Sequence, residues 1–188
     1  MISGMYMGEL VRCYLARLTK QGLLFEGKGT DKLFLSHVID TSFVSEVESD
    51  PKGTYCKTRK ALERMDILDP AEEDCEKVKL VCCRVSTRAA HLVSAAIATI
   101  INRMKRPQVT VGVDGSVYRF HPHFHDLMAS KIAELTRPEC KFELMLSEDG
   151  SGRGAALVAA VAVKRERRRV YSISSIGSMS SFDYSFDA

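Results

Sequence analysis

The sequence has little excess of either charge. Its 27 lysines and arginines stand against 24 aspartates and glutamates, a formal net charge of +3 over 188 residues. From Lys164 onward there are five basic and three acidic residues, so most of that excess belongs to the end of the chain. The nearly neutral body carries no electrostatic footprint for DNA, RNA or an anionic membrane. Metal-ligand spacing is missing as well. The six cysteines (Cys13, Cys56, Cys75, Cys82, Cys83, Cys140) form no Cys-x-x-Cys pair and share no ligand-like spacing with the histidines. Reduced cytosolic thiols are expected, with no resident metal and no disulfide framework. No apolar run reads as long enough to span a bilayer, and no basic stretch leads into an apolar one as in a secretory signal. The expectation is therefore a cytoplasmic chain with no transmembrane segment and no nucleic-acid partner.

What is present suits one well-buried core: 45% apolar and 27% charged residues, at a length short for two domains. Met7, Val11, Tyr14, Leu15 and Leu18 recur at helical spacing, and Gly22 stands where a C-cap is expected. Residues 1–5 offer no capping lead-in to that helix, so the chain reads as beginning inside a fold. Thr41 or Ser42 is placed to cap a short helix over Phe43 to Glu48, with another helical piece over residues 54–66. A long helix opens at Pro70 and runs to about Met104, roughly 50 Å. Its middle, Val85 to Thr99, is rich in small side chains suited to close packing.

Strands are predicted at 109–113 and 116–120, joined by an Asp114-Gly115 turn, with a further strand at 142–146. Helices are predicted from His123 to Leu135 and from Gly154 to about Arg168. The serine-rich remainder, 170–188, reads as a disordered tail after a structured segment 1–169. The class is α/β, rich in helix.

Two tight glycine turns close to β-structure carry the functional signal. They are Asp114-Gly115 and Gly150-Ser-Gly-Arg-Gly154, places where backbone can approach a phosphate with no Cβ in the way. Alone, the second is only a strand-to-helix connection. Together with Met1 to Arg12, Thr41 to Asp50, Val85-Ser-Thr-Arg-Ala-Ala-His91, Val111 to Tyr118, His121-Pro-His-Phe124 and Leu146 to Ala156, it resembles the hexokinase family, in that family's order and near its spacing, over about residues 1–164. The resemblance implies part of the large domain of an actin-like, ribonuclease-H-like ATPase fold. It further implies transfer of the ATP γ-phosphoryl group to a hexose 6-hydroxyl, with ATP and Mg²⁺.

By position, the family's adenosine-nucleotide contacts fall on Gly4 and Met5, on Thr41, Ser42, Phe43, Val44 and Ser45, on Gly115, Ser116, Val117, Tyr118, Arg119 and Phe120, and on Ser151. Glycine turns, short hydroxyls and helix N-termini are the groups such a ligand calls for. Met5 resembles general hexokinases, since glucokinase-like members carry Lys there.

The family's Asp general base, its Asp-Leu-Gly-Gly-Thr-type phosphate loop and its sugar-holding residues have no counterpart in this sequence. Catalytic, sugar-binding and metal residues are accordingly expected to be none in this chain. A general base alone contributes about 10² to 10⁴ in rate, so negligible turnover is expected of the chain by itself. Two readings follow: the ATP-binding portion of a hexokinase acting on glucose or a related hexose, or a shortened inactive isoform that binds nucleotide or a partner. Open sheet edges and uncovered apolar faces are expected, with a need for the missing N-terminal part or an oligomer. His121-Pro-His-Phe-His125 lacks a second ligand cluster and reads as a turn into a helix. Asp114 reads as a turn residue, and Lys164 to Arg169 as the solvated end of a helix.

Overall fold

A computed structural model describes residues 2–177, with side chains as far as Glu166. The chain divides into two compact units, Met1–Leu146 and Ser147–Ala188.

The first unit is built on one long helix. In order come α1 (Met7–Lys20), a 3-10 turn (Phe25–Gly27), α2 (Asp31–Phe34), α3 (Thr41–Glu48), α4 (Cys56–Glu63), α5 (Glu72–Met104), β1 (Gln108–Val113), α6 (Ser116–Phe120), α7 (Phe124–Leu135) and β2 (Lys141–Leu146). α1, α3, α4 and α7 all pack on α5. The buried positions of α5 are Cys75, Val78, Cys82, Val85, Ser86, Ala89, Ala90, Ser94, Ala98 and Ile101, a single stripe at helical spacing. Its second half is made of small side chains, which let α7 come close. Cys82 lies in the core and its neighbour Cys83 outside it.

α1 ends as its sequence suggests. Gly22 has φ +72°, Leu23 N–H donates to Leu18 O at 3.0 Å, and Gly22 N–H donates to Thr19 O at 2.9 Å, the paired bonds of a glycine-terminated helix. α5 starts at Glu72 rather than Pro70, behind Ala71 with no side-chain cap, and Glu72, Glu73 and Asp74 fill its first turn.

The expected hairpin does not form. Residues 116–120 are helix α6, and β1 pairs in parallel with β2, from Gln108 beside Lys141 to Val113 beside Leu146. Gly115 has φ +140° and ψ +147°, an extended glycine-only conformation that cannot fold a strand back on itself. Alternating side chains over five residues imitate a strand, but Tyr118 is buried with its ring 5.5 Å from that of His125. Parallel strands need a crossover, and α6 and α7 supply it. Val109, Val111, Val113, Phe142 and Leu144 face the helices.

α5 is also, by length and composition, apolar enough to cross a membrane, with a mean hydropathy of 1.2 over its best window. This departs from the sequence expectation that no run is long and apolar enough to span a bilayer. In the fold this helix is instead the element on which the first unit is assembled. Leu80, Leu92 and Ile100 of α5 and Met145 of β2 remain exposed. In the second unit α8 spans Gly150–Gly177, starting earlier and ending later than expected. Residues 178–188, which hold most of the expected tail, lie outside the described residues.

A buried-edge ion pair ties α1 to the loop before α3. Arg12 donates to both carboxylate oxygens of Glu9, at 2.8 and 2.6 Å, and to Leu33 O at 3.1 Å, while His37 N–H donates to Glu9 at 2.7 Å. The Arg12 bonds, partly opposed by burial and aided by His37, hold the Glu9 carboxyl down to about 2. A depressed carboxyl stabilises the fold above its unfolded value near 4.5 and loses that contribution as pH falls toward 2. Allowing for partial solvent screening, about 2 kcal/mol is at stake. Urea titrations at pH 6 and pH 2.5 are expected to show this loss in the parent and little pH dependence from this site in Glu9→Gln. An identical acid limb in both would remove the pair from the account.

Candidate functional site

Three of the four expected nucleotide segments meet at Gly4. Ser3 Oγ accepts from Met5 N–H at 3.1 Å, and Tyr6 N–H donates to Ser3 O at 3.0 Å, so Ser3 does supply a lead-in turn to α1. This turn presents Gly4 O to the Thr41 hydroxyl, which donates to it. On its other side, a Cβ placed on Gly4 would stand 2.8 Å from Val117 Cγ2 and 3.8 Å from Ser116 Oγ. Only the absence of a side chain lets α6 approach that closely. The start of α3 and the start of α6 therefore both touch the turn that leads into α1, within the first unit.

α3 is capped by Asp40, not by Thr41 or Ser42. Asp40 Oδ1 accepts from Phe43 N–H at 3.0 Å and from Ser42 Oγ at 2.8 Å. Burial works to raise this carboxyl, but those hydrogen bonds and the charge of Arg64 outweigh it and leave it lowered. Arg64 is itself held by Glu46 at 2.5 Å. Ser45 Oγ donates to Thr41 O at 3.3 Å. All three hydroxyls of the segment thus donate within the chain, and their oxygens keep lone pairs for an incoming donor. Phe43 and Val44 point into the core, so a ligand would meet only their backbone. A cleft of about 280 Å³ runs beside Asp40, Ser42, Phe43, Glu46 and Arg64.

In the third segment Gly115 has nothing within 4 Å of a would-be Cβ, so its requirement is conformational rather than steric. Ser116, Arg119 and Phe120 are exposed, Val117 half-buried and Tyr118 buried, where desolvation raises its phenol. Arg119 lies over the Phe120 ring at 5.3 Å. Met5 is exposed. Ser151 belongs to the second unit, exposed in the first turn of α8. There Asp149 has φ +52°, and its Oδ1 would stand 2.6 Å from a Cβ at 152, so a side chain there would have to displace the Asp149 carboxylate. Among the described residues no group of three or more His, Cys, Asp or Glu could hold a metal ion.

The hexokinase family profile matches residues 1–161. The chain belongs to the hexokinase family. It is 39% identical to a hexokinase of Brugia malayi over 170 residues, which covers 90% of this chain and 30% of that protein. It is 44% identical to Hexokinase-2 of Homo sapiens over 170 residues, covering 87% of this chain and 18% of the relative. The solved structure of a hexokinase from Schistosoma mansoni complexed with glucose matches with a TM-score of 0.81 at 41% identity, over 85% of this chain and 36% of that one. The chain thus spans less than a third of the length of these curated relatives. The fold is the corresponding part of the actin-like ATPase architecture.

Two features of this hexokinase segment escaped the sequence reading. One is the Asp40 cap, hidden because the Thr-Ser pair after it is equally fit to cap. The other is Gly8, four residues after Gly4. A Cβ there would stand 2.3 Å from Ile39 O and 2.4 Å from the Asp40 carbonyl carbon, main chain that cannot swing away. Gly8→Ala is expected to force α1 from the α3 cap and to cost about 2–3 kcal/mol, at the upper end for overpacking. The midpoint of urea unfolding reads this out. An unchanged midpoint would show that α1 and the Asp40 loop are not in close contact.

Proposed function

We propose that this hexokinase segment forms the ATP side of a phosphotransferase that moves the γ-phosphoryl group of ATP to the 6-hydroxyl of glucose or a related hexose, in the cytoplasm. The observation that supports it is the convergence on Gly4 of Thr41 and of Ser116 and Val117, three stretches far apart in sequence. Chance has no reason to bring together the very segments that resemble the family's nucleotide contacts.

The chemistry of the donor set fits a nucleotide. Thr41, Ser42 and Ser45 oxygens are placed to accept from ribose hydroxyls, and the glycine at 115 leaves main chain open to close approach. ATP brings the transferable phosphoryl group, with Mg²⁺ carried on its phosphates. The role of these residues is to bind and orient. Proton removal from the sugar hydroxyl needs a general base, and no residue here matches the family's Asp. The chain alone is therefore a binder without turnover.

Two measurements on the purified 188-residue chain test this: calorimetric titration with Mg-ATP, and glucose phosphorylation followed through glucose 6-phosphate. Saturable Mg-ATP binding with no turnover above background is expected. Thr41→Val, which keeps shape and removes the hydroxyl, is expected to weaken binding about three- to ten-fold, the worth of one hydrogen bond. A folded chain that ignores Mg-ATP would overturn the reading. Turnover would show that a base is present among residues assigned none.

A further inference from the structure

His121, the residue after α6, has a fully buried side chain, and its Nε2 lies 3.3 Å from Oε1 of Glu48, the last residue of α3, whose side chain is 3% exposed. The contact is electrostatic, since among the described residues neither atom completes a hydrogen bond. His123 N–H donates to His121 Nδ1 at 3.3 Å. That makes Nδ1 the acceptor and leaves the ring proton on Nε2, the nitrogen beside the carboxylate. A second imidazole follows the first, with Nε2 of His123 3.3 Å from Glu48 O. The third wall is α5, where burial, reinforced by the charge of Glu48, pushes the Cys82 thiol well up. Phe124 closes the pocket, edge-on to the His121 ring at 5.9 Å.

An apolar pair of similar volume is often no less stable than a buried polar one. What the polar pair adds is a penalty for parting: two buried polar atoms 3.3 Å apart lose their mutual attraction in low dielectric when the elements move, whereas apolar surfaces slide. The two residues bound that placement at informative points. α3 ends at Glu48 and begins with Thr41 to Ser45, and α6 ends immediately before His121 and carries Ser116 to Phe120. We infer that Glu48 and His121 are positioning residues, a buried clamp that holds α3 and α6 at the spacing a bound nucleotide requires. The functional sense of the clamp rests on the ATP reading above, although its mechanical sense does not.

The test uses the full chain, with circular dichroism to confirm folding, Mg-ATP calorimetry, and hydrogen exchange read by mass spectrometry. The variants are Glu48→Leu, His121→Leu and His121→Gln, whose amide N–H reaches near the place of Nε2. The leucine variants are expected to bind Mg-ATP at least ten-fold more weakly, with exchange accelerated in residues 41–48 and 115–121 beyond the rest of the chain. His121→Gln is expected to stay within three-fold of the parent. If the leucine variants do not fold, His121→Asn, too short to reach Glu48, takes their place with the same expectation. Leucine variants that bind like the parent, or exchange that rises uniformly, would overturn the clamp. If the folded parent itself does not bind Mg-ATP, the ATP reading fails alone. Exchange then decides the clamp, with localised acceleration supporting it and uniform or absent change overturning it.

Discussion

Close approach to α5 is the constraint from which the rest of the first unit follows. Ser86, Ala89, Ala90, Ser94 and Ala98 are buried on one stripe, and α7 lies against the second half of it. The Ser94 hydroxyl donates to Ala90 O at 2.8 Å within its own helix and lies 3.3 Å from Met128 O, so it also reaches the main chain of α7. At the far end Asn102 receives Arg137 N–H and donates to Leu135 O, which fixes where α7 stops and the chain turns toward β2. Larger side chains on that stripe would cost on the order of 1–3 kcal/mol each by overpacking, more than most single polar contacts contribute. α1 and α3 rest on the same helix, so the loops that carry the candidate site inherit their spacing from it.

Three glycines then act in three different ways. Gly4 is required by a neighbouring side chain, Val117, which can in part give way. Gly8 is required by main chain at 2.3 Å, which cannot. Gly115 is required by its own backbone angles, with open space around it. A side chain at each would therefore do distinct harm: a shifted α6, a displaced α1, or a strained turn. The site is thus specified less by functional side chains than by the places where side chains are missing.

Much of this was legible in the sequence because periodicity is long-ranged where elements are long. The 33 residues of α5, the 14 of α1 and the strand over Val109 to Val113 each give enough turns or alternations to identify their type. Five residues of α6 do not, since one helical turn and two strand repeats look alike at that length. The Asp114-Gly115 pair then tipped the reading toward a hairpin, a turn preference that tertiary burial of Tyr118 overrides. The apolar character of α5 shows only when averaged over a window, because serines, threonines and one histidine interrupt its aliphatic residues. The Glu48–His121 contact joins residues remote in sequence, and no local pattern announces it.

Correcting the hairpin to a parallel pair changes what the glycine turns mean. In a hairpin, Asp114-Gly115 would only reverse the chain, and its angles would serve the strands. In the parallel pair, Val113 stands beside Leu146, so both strands end at the same side of the sheet and the chain leaves each one from there. Open α/β sheets bind ligands outside the carboxyl ends of their strands, where strand-to-helix turns expose backbone N–H groups. Gly115 opens α6 at such an end. Two strands alone are too few to stand in water, and here helices cover one face through Val109, Val111, Val113, Phe142 and Leu144. The same helices that stabilise the pair therefore also aim its carboxyl ends. The nucleotide site proposed at the start of α6 needs no dedicated scaffold beyond the packing that makes the sheet possible.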